Sequence, residues 1–264
     1  MWKRGVLMLL AVDIGNSNIH IGFFKNNKLI YNFDIGTGAN RSKDEYALTL
    51  KHLIADGGYN INDIEAVIIG SVVPSVTGKL QNAIAKLTSA PITLVGPGIK
   101  TGFSIKVDDP SQLGADIVAN TAGAIDKVRY PAIIVDLGTA TTVSAVDKSK
   151  SYVGCYIMPG IQMSLDALHQ TELLPEVFAD KAVPILGKNS VDSMRAGVTF
   201  GSIMACEGFI EAYKRELDLP DTTPIVVTGG YSEDLLSYFV KNVTYIPNLT
   251  LKGLNVIYNT NKKR

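Results

Sequence analysis

The sequence contains the same unusual pattern twice. A buried apolar strand ends in Asp-x-Gly followed by small polar residues, and an apolar run then resumes. The first copy is AVDIGNSNIHIGFF at 11–24 and the second is IVDLGTATTVSAVD at 134–147. The two aspartates, Asp13 and Asp136, lie almost half the chain apart. Such a repeat predicts a duplicated domain.

Hydrophobic periodicity predicts that each half begins with three antiparallel strands, followed by helices that alternate with further strands. In the first half, strands are predicted at 6–12, 19–24, 28–35, 66–73 and 92–95, and helices at 42–55, 75–88 and 116–128. In the second half, strands are predicted at 132–137, 143–147, 152–158 and 225–228, and helices at 159–169, 192–217 and 232–241. Asn26-Asn27 indicates a hairpin turn, and Ser42 with Glu45 indicates a capping box.

This order of elements predicts an α/β protein made of two duplicated domains, each a mixed sheet flanked by helices, with a cleft between them. We place the boundary after residue 128, which gives domains at 1–128 and 129–264. The composition agrees, because 264 residues of which 46% are hydrophobic can form two cores of ordinary size.

The charge and cysteine content exclude several classes of function. Twenty-five basic and twenty-five acidic residues give a formal net charge of zero, which argues against a nucleic-acid partner. Cys155 and Cys206 are expected to be reduced, buried thiols, and no zinc motif accompanies them. The apolar run at 6–12 imitates a signal peptide but lacks a cleavage site, and no run approaches the ~20 residues of a membrane span. We therefore expect a cytoplasmic protein.

The Asp-x-Gly turns favour phosphate binding. A tight turn leaves backbone amides exposed, glycine permits a close approach, and the aspartate offers a hard oxygen ligand to a cation. Two such turns can hold the phosphates of one nucleotide between them. A third element, IVVTGG at 225–230, leads a strand into a double glycine, which suits an adenine or ribose. The alternative is that all three are ordinary turns that prefer these residues.

These motifs resemble those of the sugar kinase, Hsp70 and actin superfamily, and their detail is similar to the type III pantothenate kinase family over nearly the whole chain. The resemblance is carried by DIGNSN at 13–18, SVVP at 71–74, GAD at 114–116, DLGTATT at 136–142, PG at 159–160, NS at 189–190 with Ser193 and Gly197, VTGG at 227–230 and LKGL at 251–254. Family members convert pantothenate and ATP to 4′-phosphopantothenate, the first step of coenzyme A synthesis. The resemblance also implies Mg²⁺, K⁺ or NH₄⁺, and a homodimer with the substrate site at its interface.

The resemblance further implies a role for each matching residue. Asp116 matches the catalytic base, which takes the proton from the pantothenate hydroxyl. Asp13 matches the carboxylate near magnesium and the transferring phosphoryl group, and Asp136 matches the monovalent-cation ligand. The expected ATP and phosphate contacts are Asp13, Gly15, Asn16, Ser17, Asn18, Gly138, Thr139, Thr141, Gly229 and Gly230. The expected substrate contacts are Val107, Gly114, Ala115, Asp116, Ile117 and Ser190, the last at a position where the family usually has threonine.

Two positions depart from the family pattern. The family often has an arginine where Ile117 stands and a tyrosine where Val107 stands. Pantothenate carries a carboxylate, for which a guanidinium is a natural bidentate partner, and Lys100 or Lys106 are candidates to replace it. Two other functions therefore stay open: a kinase for a different small hydroxyl acceptor, and a catalytically weak nucleotide-binding regulator. Without the resemblance, Asp116 also fits as a helix N-terminal acidic residue.

Overall fold

The computed structural model describes residues 8–180 and 182–262. The first predicted strand, at 6–12, therefore begins outside the described residues. The chain divides into two compact units. The first contains the described residues of Met1–Gly102, Asp109–Gly123 and Thr250–Arg264, and the second contains Phe103–Asp108 and Ala124–Leu249. Each unit is assembled from separate stretches of the chain, whereas a single boundary after residue 128 was expected from the sequence.

The described residues form strands and helices close to those predicted. The strands are β1 (Met8–Ile14), β2 (Asn18–Lys25), β3 (Lys28–Gly36), β4 (Ile64–Ser71), β5 (Ile92–Leu94), β6 (Ser104–Ile105), β7 (Ala132–Leu137), β8 (Ala140–Val146), β9 (Ser151–Pro159), β10 (Ile225–Thr228) and β11 (Thr244–Tyr245). The helices are α1 (Lys43–Asp56), α2 (Pro74–Leu87), α3 (Ala115–Lys127), α4 (Ile161–His169), α5 (Ser190–Glu216), α6 (Ser232–Leu235) and α7 (Leu249–Asn261). Short 3₁₀ turns lie at Ile61–Asp63, Pro110–Gln112 and Leu236–Tyr238.

The first unit contains a five-stranded mixed sheet in the order β3-β2-β1-β4-β5. β1, β2 and β3 are antiparallel neighbours, while β4 runs parallel to β1 and β5 runs parallel to β4. One face packs against α1 and α2, because alternate residues of β1 enter the same buried apolar cluster as both helices. These residues are Met8, Leu10, Val12 and Ile14.

The opposite face of this sheet is covered by α7 and the start of α3. Gly22 of β2 and Gly70 of β4 lie on this face, and both allow a close approach by α7. A β-carbon added to Gly22 would lie 3.0 Å from Leu251 Cδ1, and one added to Gly70 would lie 3.1 Å from Leu254 Cδ2. The two glycines therefore let the helix pack directly on the strands.

The glycine of LKGL has a packing role. Gly253 of α7 lies against the backbone of α3, and an added β-carbon would overlap the carbonyl oxygen of Ala119. Beside this contact, the Thr250 hydroxyl donates a hydrogen bond to Asn120 Oδ1 at 2.9 Å. The predictions did not include α7, although they singled out its LKGL motif.

The second unit repeats the topology of the first. Its six-stranded sheet has the order β11-β10-β7-β8-β9-β6. β7, β8 and β9 are antiparallel neighbours, and β10 runs parallel to β7 and β11 to β10. Apart from the added edge strand β6, this order matches that of the first sheet strand for strand. Two mixed sheets flanked by helices confirm the predicted α/β class and its duplication.

Two local predictions are confirmed at the level of hydrogen bonds and backbone angles. Asn26 and Asn27 both have positive φ, 49° and 63°, as a two-residue hairpin turn with right-handed strand twist requires. In the capping box of α1, the Glu45 N–H donates to the Ser42 hydroxyl at 3.2 Å, and the Ser42 N–H donates to the Glu45 carboxylate at 2.6 Å.

The prediction of a helix at 232–241 is wrong beyond the first two turns. The chain forms only α6 and one 3₁₀ turn, and Phe239 is already extended. The short strand β11 then pairs with Val226 and Val227 of β10, so the chain has to leave the helix early. A two-residue strand has no periodicity of its own, which is why β6 and β11 were not predicted.

Both cysteines are free thiols. Cys206 is buried, and burial raises the pKa of its thiol to about 12. Cys155 is only half-buried, so the prediction of two buried thiols holds for one of them, and neither forms a disulfide. Among the described helices, none combines the length and apolar character needed to cross a membrane.

Candidate active site

The first Asp-x-Gly turn joins β1 to β2 in the first unit. Asp13 is 6% exposed, whereas Asn16, Ser17 and Asn18 are exposed. The Gly15 N–H donates to the Asn18 carbonyl at 3.0 Å and closes the turn. The turn thus presents small polar side chains to solvent beside a buried carboxylate.

Thr37, at the end of β3, fixes this turn from the side. Its N–H donates to the Ser17 carbonyl at 2.9 Å, and its hydroxyl donates to the Gly15 carbonyl at 2.7 Å. Thr37 was not predicted as part of the site, because nothing in the sequence links it to a turn some twenty residues earlier.

Asp116 lies at the start of α3, and its environment differs from that of a surface aspartate. Its Oδ1 atom accepts a hydrogen bond from the Ile117 N–H at 2.7 Å and lies over Gly114, where an added β-carbon would collide with it. The same β-carbon would lie 3.4 Å from Val72 Cγ1. Burial raises the pKa of Asp116, although the hydrogen bond from Ile117 opposes this shift. The glycine of GAD is therefore the residue that leaves room for the carboxylate.

Asp13 and the start of α3 belong to the same face of the first sheet. Asp13 is directly paired with Gly70 of β4, so both residues point to one face. A β-carbon added to Gly70 would lie 3.6 Å from the Cβ of Ala115, the residue before Asp116. The fold thus brings DIGNSN and GAD together, although about a hundred residues separate them in the sequence.

In the second unit, the predicted phosphate turn and the double glycine form one structure. Asp136 of β7 is paired with Thr228 of β10, and Gly229 follows with φ of 106°. A β-carbon added to Gly229 would lie 2.5 Å from Asp136 Oδ1. The next turn is held by the Tyr231 N–H, which donates to the Leu137 carbonyl at 3.2 Å. The sequence predicted both loops but not their contact.

Pro159-Gly160 packs against the same turn. The Gly160 N–H donates to the Thr139 carbonyl at 3.1 Å, and an added β-carbon would overlap the carbonyl oxygens of Gly138 and Thr139. A β-carbon on Gly138 would lie 3.3 Å from Asp136 Oδ1. The three glycines therefore leave room for the Asp136 carboxylate and for the carbonyl oxygens of Gly138 and Thr139.

Comparison with known proteins decides the family. The sequence model of type III pantothenate kinases matches residues 9–212. A type III pantothenate kinase from Halalkalibacterium halodurans is 35% identical over 256 residues, which cover 96% of this chain and 100% of that protein. This chain belongs to the type III pantothenate kinase family.

Solved structures at lower identity show the fold alone. A Baf family protein from Campylobacter jejuni superposes with a TM-score of 0.58 at 19% identity, covering 96% of this chain and 98% of that one. Component A of (R)-2-hydroxyglutaryl-CoA dehydratase from Acidaminococcus fermentans gives 0.57 at 10% identity, covering 97% and 100%. The actin-like and sugar kinase fold expected from the sequence is thereby confirmed.

The other residues that the resemblance predicts to contact the nucleotide occupy different environments. Thr139 and Gly230 are exposed. Thr141 is 1% exposed, and its hydroxyl has no hydrogen-bond partner among the described residues. The contact of Thr141 with ATP stays a prediction.

The acceptor residues expected from the family pattern are spread over both units. Ser190, at the start of α5, is exposed, and Val107 is half-buried. Ile117 is only 8% exposed, so its apolar side chain is packed within the first unit. Lys106, one candidate replacement for the arginine of the family pattern, binds Asp147 at 3.2 Å.

Metal ligands are few. Among the described residues, no group of three or more His, Cys, Asp or Glu side chains could hold a metal ion. Mg²⁺ does not need such a group, since it is usually bound through one or two carboxylates together with substrate phosphates and water. Asp13, which the resemblance places near magnesium, is buried.

Proposed function

We propose that this protein transfers the γ-phosphoryl group of ATP to the hydroxyl of pantothenate and forms 4′-phosphopantothenate, the first step of coenzyme A biosynthesis. The observation that carries the proposal is the 35% identity to a type III pantothenate kinase over 96% of the chain. Asp13, Asp116 and Asp136 are all retained, which agrees with an active kinase. Because the reaction uses ATP, we also propose a cytoplasmic location.

Asp116 is the proposed catalytic base. An ordinary aspartate has a pKa of about 3.9 and is a weak base near neutral pH. Burial raises the pKa of Asp116, which makes the carboxylate a better proton acceptor for the substrate hydroxyl. Phosphoryl transfer depends mainly on positioning and charge neutralisation, so a modest base that also orients the hydroxyl is sufficient.

The two turns are the proposed nucleotide-binding elements. In the first unit, Gly15, Asn16, Ser17 and Asn18 would hold phosphate oxygens through their exposed amides and side chains. In the second unit, Gly138 and Thr139 would contact ATP from the second turn. Gly229 lets the chain turn against Asp136, and the exposed Gly230, where an added β-carbon would meet nothing within 4 Å, leaves room for adenosine.

The proposed ion sites follow from the same geometry. Mg²⁺ would be held near Asp13 with the phosphates of ATP, where it neutralises the charge of the transferring group. K⁺ or NH₄⁺ would be held at Asp136 beside the carbonyl oxygens of Gly138 and Thr139. Turnover measured in K⁺ and in Na⁺ tests the second site: Asp136→Asn should remove the preference for K⁺, and an unchanged preference would refute the assignment.

The proposed homodimer is supported by an open face of α5. Gly197, Gly201, Met204 and Gly208 lie along it at helical spacing and are exposed, and β-carbons added to the three glycines would meet nothing within 4 Å. Within the described residues, no other element therefore packs closely against these glycines. Other large apolar side chains are exposed in the same unit, namely Ile157, Met163, Leu173, Phe178, Ile185 and Leu186. Such a surface is typical of an interface.

Light scattering tests this dimer. Gly201→Arg should give a monomer and, if the substrate site lies at the interface near Ser190, should also reduce turnover. Leu48→Asp, on an exposed apolar residue of α1 in the other unit, is the matched control and should leave a dimer. A monomeric wild-type protein would refute the interface.

A second candidate function is a kinase for another small hydroxyl acceptor. It is favoured by the buried, uncharged Ile117 and by Lys106, which is bound to Asp147. A coupled assay that detects ADP release, with pantothenate and a panel of other acceptors, separates the possibilities. Turnover with pantothenate supports the first function, and turnover only with another acceptor supports the second. ATP binding without any turnover would instead indicate a nucleotide-binding regulator.

A further inference from the structure

A loop at 37–42 connects the first phosphate turn to the start of α1. Its first residue, Thr37, donates hydrogen bonds to the carbonyls of Gly15 and Ser17 in the turn. Its last residue, Ser42, is the N-cap of α1. A displacement of this loop should therefore move the turn through the two hydrogen bonds of Thr37.

Tyr46, near the start of α1, reaches back into this loop. Its hydroxyl accepts a hydrogen bond from the Gly38 N–H at 3.1 Å and donates one to the Gly38 carbonyl at 3.0 Å. The side chain is fully buried, in the apolar cluster that also contains Leu50 and Ile54 of the same helix. One phenol therefore binds both backbone polar groups of the residue after Thr37, and the packed core holds the phenol in place.

Two further residues hold the same stretch of the loop. The Arg41 N–H donates to the Gly38 carbonyl at 3.0 Å, and the Arg41 guanidinium lies 5.9 Å from the centre of the Tyr46 ring. From α2, the Lys79 ammonium donates to the Ala39 carbonyl at 2.6 Å. The loop is thus fixed by its own backbone, by α1 and by α2.

We propose that Tyr46 is a positioning residue for nucleotide binding: its hydroxyl fixes Gly38, and Gly38 sets where Thr37 meets the first phosphate turn. The inference rests on the proposed function only in that this turn holds the phosphates of ATP, and it does not depend on which acceptor is phosphorylated. The competing explanation is that the hydroxyl only satisfies the polar groups of a half-buried loop. The two explanations differ in whether loss of the hydroxyl changes the affinity for ATP.

Calorimetric titration of the full chain with ATP in excess magnesium tests this proposal. Tyr46→Phe keeps the ring in the core but removes both hydroxyl bonds, so the dissociation constant for ATP should rise about threefold or more. Tyr31→Phe is the matched control, because it removes a tyrosine hydroxyl bond to the Leu53 carbonyl, near the end of β3 that is remote from the turn. It should also lower the melting temperature but leave the affinity for ATP unchanged.

A double-mutant cycle tests whether Tyr46 acts through Thr37. If it does, Tyr46→Phe and Thr37→Val weaken the same connection, and their effects on ATP affinity should not be additive in free energy. The double variant should then bind ATP little more weakly than the weaker of the two single variants. Losses of affinity that multiply in the double variant would overturn the connection through Thr37.

The outcomes separate this inference from the proposed function. A folded Tyr46→Phe protein that binds ATP like the wild type would overturn the proposal. If Tyr46→Phe does not fold, Lys79→Met decides, because it removes the bond to the Ala39 carbonyl and should also weaken ATP binding; unchanged affinity would overturn the positioning by this loop. Lys86→Met, which loses an ion pair with Asp44 of α1 but no bond to the loop, is its control. A wild-type protein that binds ATP but does not phosphorylate pantothenate would refute the proposed acceptor and leave the role of Tyr46 intact.

Discussion

Gly229 lies directly against the carboxylate of Asp136, and a β-carbon added to the glycine would stand 2.5 Å from Asp136 Oδ1. About ninety residues separate them in the sequence. The parallel pairing of β7 with β10 brings them together, and the positive φ of Gly229, 106°, turns the chain away at once. A displacement of Asp136 at the proposed cation site should therefore move Gly229 in the proposed adenosine loop, and the reverse.

This contact predicts different effects for two neighbouring glycines. Gly229→Ala forces a methyl group into the Asp136 carboxylate and strains the backbone, so it should destabilise the fold by roughly 1–3 kcal/mol. It should also weaken ATP binding and the response to K⁺. Gly230→Ala, whose added methyl group would meet nothing within 4 Å, should leave the melting temperature nearly unchanged. Thermal unfolding and ATP titration check the pair, and equal effects would contradict the coupling.

The buried carboxylate of Asp116 predicts a loss of activity without a loss of stability. Asp116→Asn should reduce turnover by at least about a hundredfold, the usual contribution of a general base. Asp126→Asn, on a more exposed carboxylate of the same helix, should retain activity. A steady-state assay checks both variants. Near wild-type turnover in Asp116→Asn would show that Asp116 is not the catalytic base.

The raised pKa of Asp116 also fixes the sign of its pH effects. Because folding raises this pKa, the ionised carboxylate opposes stability, and this opposition grows as the pH rises through the folded-state pKa. Asp116→Asn should therefore melt at the same or a higher temperature at neutral pH. In the wild type, turnover should fall on the acid side at a pH above the usual aspartate range. A lower melting temperature for the variant at pH 7 would contradict the assignment.

Thr37 is predicted to position the first phosphate turn. Thr37→Val keeps the shape of the side chain and the backbone N–H but removes the hydroxyl bond to Gly15. Losing about 1 kcal/mol from one hydrogen bond should raise the KM for ATP several-fold. Thr37→Ser should restore it. Thr49→Val, which removes a comparable hydroxyl bond to the Glu45 carbonyl within α1, should not change the KM.

The sequence was sufficient for features determined by neighbouring residues. Strands and helices with clear apolar periodicity lie within a few residues of their predicted positions, as for β7 and α1. The turn at Asn26-Asn27 and the cap at Ser42 were also predictable, because backbone angles and hydrogen bonds over three residues decide them. The repeat of Asp13 and Asp136 predicted the duplication.

Features that depend on distant partners could not be predicted. Thr37 acts on a turn of another strand pair. Only the strand register shows that His20 lies opposite Asp13. The strand β11 forms because it pairs with the edge of β10. The helix expected at 232–241 ends early because the chain continues into β11. The burial of Ile117 likewise depends on how α3 packs in the first unit.

The contact of Gly253 with Ala119 gives the last prediction. A β-carbon on Gly253 would overlap the Ala119 carbonyl oxygen, so Gly253→Ala must push α7 away from α3. Overpacking of this kind should destabilise the protein by roughly 1–3 kcal/mol, and more if α7 leaves the sheet. Gly78→Ala, at an exposed glycine of α2 with nothing within 4 Å, should be neutral or stabilising by up to about 1 kcal/mol. Thermal unfolding checks both variants. Because the start of α3 carries Asp116, Gly253→Ala should also lower turnover. Full activity of Gly253→Ala would show that α7 does not position Asp116.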